Sequence, residues 1–174
     1  ESGIGAKAMI DDGILTNPID DTAIALHLMS TEPYQDILTK TGALMAGSDT
    51  FYITVKGNGG HAGLANDTVD AIHIAALIVS NLQTQVRKQL SPTIPFVLHI
   101  DKINGGESEN IVADRVELVG TLRTTDLAIR AKIQKQMDRA IHGITNSMGG
   151  SYKLQFEDSH SPPVINDKKF TELI

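Results

Sequence analysis

The stretch Asp49-Thr-Phe-Tyr-Ile-Thr-Val-Lys56, followed at once by Gly57-Asn-Gly-Gly-His-Ala-Gly63, decides how this chain reads. Phe51, Ile53 and Val55 fall on one side of an extended backbone, with Tyr52 and Thr54 on the other. That alternation is the signature of a half-buried strand. The glycines then break the strand. From Asp67 or Thr68 a long helix is expected, with Val69, Ile72, Ala75, Ala76, Val79, Leu82 and Val86 spaced as one apolar stripe. Pro92 and Pro95 close this region. Phe96 to Ile103 alternates as a second strand, and Gly105-Gly106 turns the chain. Val116 to Leu122 makes a third strand. Thr125 or Asp126 caps a second helix whose apolar face is Ile129, Ile133, Met137, Ala140, Ile141 and Ile144. Gly149-Gly150 ends that helix, and Tyr152 to Phe156 alternates as a fourth strand. From residue 49 to about 157 the order is therefore β-α-β-β-α-β. The expected class is α+β, a ferredoxin-like split βαβ with two helices on one face of a four-stranded antiparallel sheet.

Outward from this unit the signals are shorter. Ala6 to Ile10 can form a helix that stops near Asp12-Gly13. Asp21 to Leu28 is apolar with β-branched residues and reads as a buried strand that ends near His27. Thr31 to Gly47 reads as a connection or a hairpin. Ser161-Pro162-Pro163 reads as a linker, and Phe170 to Ile174 as the opening of a helix. Glu1 is not a methionine, and the chain is expected to be a fragment of a longer one.

The chain has 174 residues, enough for one large domain or one domain with pieces of another. A hydrophobic fraction of 41% and a net charge of −6, without a long basic block, argue against nucleic acid as a partner. No apolar run approaches the ~20 residues that span a bilayer, so no membrane partner is expected. There are no cysteines, which excludes disulfides and thiolate zinc sites within the chain and fits the cytoplasm.

His61 sits among four glycines in seven residues, where the backbone can turn sharply and other groups can approach closely. An imidazole on such a loop can donate to a developing oxyanion, or can simply be solvated beside a turn. The glycines fit neither a P-loop nor G-x-G-x-x-G. His27, at an expected strand end, can be a metal ligand or an ordinary packed or surface histidine. Asn110, after the Gly105-Gly106 turn, is a further polar candidate. Arg123 ends the third strand, where its planar fork can grip a carboxylate or stand in solvent. His73, His99, His142 and His160 have no partner at a telling spacing. No Ser-His-Asp or H-E-x-x-H arrangement is present.

Taken in order, five short motifs resemble the amidohydrolase branch of the M20 metallopeptidases, which includes aminoacylases, hippurate hydrolases and indoleacetyl-amino acid hydrolases. They are Glu1 to Gly13, Ala25-Leu-His-Leu28, Val55-Lys-Gly-Asn-Gly-Gly-His-Ala62, Asn104-Gly-Gly through Asn110-Ile-Val-Ala-Asp114, and Gly120-Thr-Leu-Arg-Thr124. The resemblance implies a two-domain hydrolase of N-acyl-amino acids or small peptides with two divalent metals, usually zinc, with manganese, cobalt or nickel as alternatives. It implies that residues 1–46 and 161–174 belong to an α/β catalytic domain and that 47–160 form its lid, through which a homodimer can assemble. Glu1 and His27 would be metal ligands. His61 would stabilise the oxyanion and in dimeric relatives reaches the neighbouring subunit's site. Asn110 and Arg123 would hold the substrate's carboxylate end. The general-base glutamate expected before Glu1, an earlier Cys-x-His and a last histidine are absent, so the isolated chain is expected to be inactive. Leu64-Ala65-Asn66 replaces the family's frequent Met-Pro-His, which leaves the detailed pocket open. The competing reading is a ferredoxin-like module that binds a ligand or dimerises without catalysis; another M20 branch is a third.

Overall fold

The computed structural model describes residues 4–16, 19, 22–33, 36–157 and 161–173. Its elements are α1 (Ile4–Asp11), β1 (Gly42–Met45), β2 (Gly47–Lys56), β3 (Gly60–His61), a 3-10 turn (Ala62–Asp67), α2 (Ala71–Lys88), β4 (Phe96–Gly105), β5 (Ile111–Val112), β6 (Arg115–Thr124), α3 (Leu127–Ser147), β7 (Ser151–Phe156), β8 (Val164–Asn166) and α4 (Lys168–Thr171). They fall into two compact units, residues 45–164 and residues 1–44 with 165–174. No helix among the described residues is long and apolar enough to cross a membrane.

Residues 45–164 hold the four-stranded sheet, in the order β4-β6-β2-β7 with each neighbouring pair antiparallel. That is the ferredoxin-like arrangement expected from the sequence. Phe51, Ile53 and Val55 of β2 are fully buried, as are Val116, Leu118 and Leu122 of β6. Each such side chain contributes about 1.5–3 kcal/mol when taken out of water. Phe51 also meets Phe156 of β7 with ring centroids 6.2 Å apart, which fastens the edge strand to the core.

Both helices cover this one face. In α3 the expected stripe is the observed one: Ile133, Met137 and Ile141 are buried, and Ile129, Ala140 and Ile144 pack beside them. Asp126 is its cap, accepting from the backbone N–H groups of Ala128 and Ile129.

Helix α2 departs from expectation twice. It begins at Ala71 rather than at residue 67 or 68, because Val69 is held extended by two backbone hydrogen bonds to Asn58. Asp70 then caps the helix, accepting from Ile72 N–H and His73 N–H. Its buried stripe is Ala71, Ile74, Ala75, Ile78, Leu82 and Val86. Ile72 and Val79 are each 43% exposed, so the expected stripe was rotated. On the exposed flank Gln83 donates to the Leu98 carbonyl of β4, while Arg87 donates to the Ile94 carbonyl and stacks on Phe96. These contacts turn residues 72, 79, 83 and 87 toward the β4 edge and residues 74 and 78 onto the sheet.

A buried ion pair joins β2 to α3. The Arg130 guanidinium donates to both Asp49 carboxylate oxygens at 2.7 and 2.6 Å, and Asp49 is only 3% exposed. The carboxylate raises the arginine's already high pKa by its hydrogen bonds first and its charge second, against an opposing effect of burial.

In the other unit α1 ends as expected, with Gly13 at φ +86° just after it. The buried strand expected over 21–28 is not there. Its described residues, 22–28, are irregular and exposed. An apolar run becomes a strand only where another backbone pairs with it, and no described residue pairs with this one. Of the two readings of Thr31 to Gly47, the described residues give a connection rather than a hairpin. Its strand β1 pairs instead with the distant β8.

Candidate functional site

The Gly57–Gly60 stretch leaves the end of β2 and doubles back across the start of β6. Gly57 N–H donates to the Asp114 carbonyl at 2.7 Å. A Cβ on Gly57 would lie 2.0 Å from the Val69 carbonyl oxygen, so glycine serves close approach of two backbones. The short strand β3 then pairs antiparallel with β5, Gly60 opposite Val112 and His61 opposite Ile111. Directly opposed residues share a face of such a ribbon, which places half-exposed Ile111 beside His61.

His61 is exposed, as the glycine-rich surroundings suggest. Its backbone is extended, φ −67° and ψ 125°, and it caps the 3-10 turn that follows. Gly63 N–H donates to its Nδ1 at 3.0 Å. The next residue, Ala62, donates its N–H to the Asn110 carbonyl at 2.9 Å. His61 and Asn110, far apart in sequence, are thus brought together by one ribbon. The Asn110 side chain is exposed, and its Oδ1 accepts from the Ser108 hydroxyl at 2.8 Å. The neighbouring Glu109 carboxyl is held below its ordinary pKa by a backbone hydrogen bond and, secondarily, by the same hydroxyl.

Beside the ribbon lies a groove of about 710 Å³ with Gly57, Gly59 and Gly60 along its floor and Glu107, Asp114 and Arg115 among its walls. Ile111 reaches this groove; His61 and Asn110 are not among its lining residues.

Arg123 is elsewhere. It is exposed near the far end of β6, opposite Ser48 of β2 and Val97 of β4. The ribbon meets β6 at the Arg115 end. At ~3.3 Å per residue the path from Arg115 to Arg123 is roughly 26 Å. Arg123 thus stands at the end of β6 away from the ribbon that carries His61.

His27 lies in the irregular segment 22–33 with its neighbours exposed. Glu1 and His160 lie outside the described residues. No group of three or more His, Cys, Asp or Glu able to hold a metal occurs among the described residues. A lone imidazole falls short of the three or four ligands that zinc takes. The described residues therefore do not fit a metal centre by themselves.

The sequence pointed to His61 and Asn110 but not to what fixes them. The Gly63 N–H lies in a 3-10 turn, the Ser108 hydroxyl in a loop, and the β3–β5 pairing joins two-residue strands, none of them long enough for periodicity to mark.

Residues 45–145 match the M20 family model described as the peptidase dimerisation domain. The chain is 34% identical over 164 residues to the N-acyl-L-amino acid amidohydrolase of Geobacillus stearothermophilus, covering 94% of this chain and 44% of that protein. It is 32% identical over 177 residues to the N-acetyl-L-cysteine deacetylase of Bacillus subtilis, covering 100% of this chain and 41% of that protein. It thus spans less than half the length of the curated relatives it matches. Among solved structures, a protein described as "a putative aminohydrolase" from methicillin-resistant Staphylococcus aureus is 32% identical with a TM-score of 0.87, over 97% of this chain and 44% of that one. The Bacillus subtilis YXEP protein, a dinuclear metal binding peptidase from the M20 family, is 30% identical with a TM-score of 0.61, over 77% of this chain and 32% of that one. This chain belongs to the M20 peptidase family, and its ferredoxin-like unit is that family's dimerisation domain.

Proposed function

We propose that this chain is the lid-bearing part of a metal-dependent amidohydrolase that cleaves the amide bond of N-acyl-amino acids or small peptides. The unit 45–164 is the lid, and residues 1–44 with 165–174 belong to the catalytic domain. The observation that carries the reading is His61, an exposed imidazole on a backbone pinned from both sides. Such a donor is useful where charge appears only in the transition state, as on the oxygen of an amide under attack. The names of the similar amidohydrolase and deacetylase supply the substrate class.

Asn110 adds a second exposed polar side chain at the same ribbon, and Arg123 can grip a carboxylate with two parallel hydrogen bonds. The separation of His61 from Arg123 along β6 supports a site built by two copies, the ribbon coming from one and the arginine from the other. Metal chemistry belongs to the reading, although the described residues assemble no metal site by themselves. This chain alone is expected to turn over no substrate.

The test uses the longer protein that contains this chain, assayed with divalent metal on N-acetyl-amino acids. His61→Ala should lower kcat by ~10²–10³, the usual cost of losing one oxyanion donor, with the circular dichroism spectrum unchanged. Wild-type turnover in that variant would sink the reading.

A further inference from the structure

We propose that the backbone amide of Gly63 is a positioning group that fixes His61 as a neutral donor with its proton on Nε2. The inference rests on the functional reading above for its catalytic consequence, but its chemistry stands on local geometry. A neutral imidazole has one N–H and one lone pair, and the hydrogen bond made by one nitrogen decides what the other presents. Gly63 N–H points at Nδ1 from 3.0 Å, so Nδ1 must carry the lone pair. The proton is then on Nε2, the nitrogen for which no hydrogen bond occurs among the described residues.

Three features hold this arrangement. The ring lies along Gly63, close enough that a Cβ there would be 3.1 Å from Nδ1 and 3.2 Å from Cε1. His61 has the extended backbone of a capping residue, and its ring does for the 3-10 turn what an Asp or Ser oxygen does at a helix start. Pairing of His61 with Ile111, and of Ala62 N–H with the Asn110 carbonyl, keeps the backbone from turning the ring away. The consequence is a division of labour within one side chain. Nδ1 holds the loop, and on this exposed side chain Nε2 is left as the hydrogen-bond donor. In its neutral form His61 is thereby unsuited to act as a general base or as a metal ligand through Nε2, since either role needs a lone pair there.

The direct test is on this 174-residue chain, labelled with ¹⁵N and studied by NMR at a pH where His61 is neutral. The expected result is a single Nε2–H tautomer and a scalar coupling between the Gly63 amide nitrogen and Nδ1 across the hydrogen bond. A dominant Nδ1–H tautomer, or averaged ring shifts with no coupling, would overturn the proposal. A second measurement separates positioning from mere structure. In the longer protein, glycolic acid is installed in place of Gly63 by nonsense suppression, which turns the donating amide into an ester. We expect kcat to fall about 10-fold with KM nearly unchanged, since small misplacements of a catalytic group cost this much or more. Combined with His61→Ala, the ester should cost nothing further, because the amide acts through the imidazole. An unchanged kcat in the ester variant overturns the positioning role. If His61→Ala itself leaves turnover intact, the functional reading fails instead, and the coupling across Nδ1 still decides the tautomer.

Discussion

Asp49 has a buried carboxylate whose partner, Arg130, lies 81 residues away, so nothing local in the sequence announces the pair. Removing one partner strands a charge out of water. Arg130→Met should therefore destabilise the fold by about 3 kcal/mol, and pairing it with Asp49→Leu should recover much of that loss. Urea denaturation of the two variants measures both effects. Tyr152 is a second case. Its hydroxyl donates to the Asp138 carboxylate at 2.7 Å. Burial first, and that hydrogen bond and charge second, push its pKa up to about 12. In the unfolded chain a tyrosine ionises near ~10. The folded state thus keeps a proton that the unfolded state gives up. The resulting stability is fully present below pH ~10 and is lost as pH rises through the folded value. Wild type should lose more stability than Tyr152→Phe between pH 10 and 12, measured by urea midpoints; parallel curves would contradict the assignment.

At the scale of elements, legibility followed how many rivals each pattern had. The strand Asp49 to Lys56 alternates cleanly, and only one register buries Phe51, Ile53 and Val55. Helix α3 has one apolar stripe, so its inward face was readable. Helix α2 has two overlapping ones, through Ile74 and Ile78 and through Ile72 and Val79, and periodicity cannot choose between them. The choice is made by Gln83 and Arg87, whose partners lie on β4 and in the turn before it. Truncation distinguishes the two stripes. Ile78→Ala should cost 2–5 kcal/mol in the manner of a core deletion, and Val79→Ala less than about 1. Equal losses would mean that the helix sits in another rotation. The run before His27 failed for a related reason: a strand is defined by its neighbour, and residues 22–28 have none among the described residues.

For the whole molecule, the fold explains why candidate residues recognised together from sequence do not converge. His61 and Asn110 share the β3–β5 ribbon at one end of β6, and Arg123 occupies the other end. The sequence lists them in order but carries no distances. The antiparallel sheet, with β6 running ten residues from Arg115 to Thr124, sets the ribbon and Arg123 at opposite ends of one strand, which supports the proposal that Arg123 and His61 of one chain would serve different substrates. On the proposed reading, each complete site of a two-fold dimer would take the ribbon from one copy and the arginine from the other. Complementation in the longer protein tests this claim most directly. His61→Ala and Arg123→Ala dimers should each be nearly inactive. Mixed one to one and allowed to exchange subunits, half the dimers become mixed, and each of these has one site with both residues intact. The account predicts recovery of about a quarter of wild-type turnover for such a symmetric dimer; no recovery, with exchange confirmed by mass spectrometry, would contradict it.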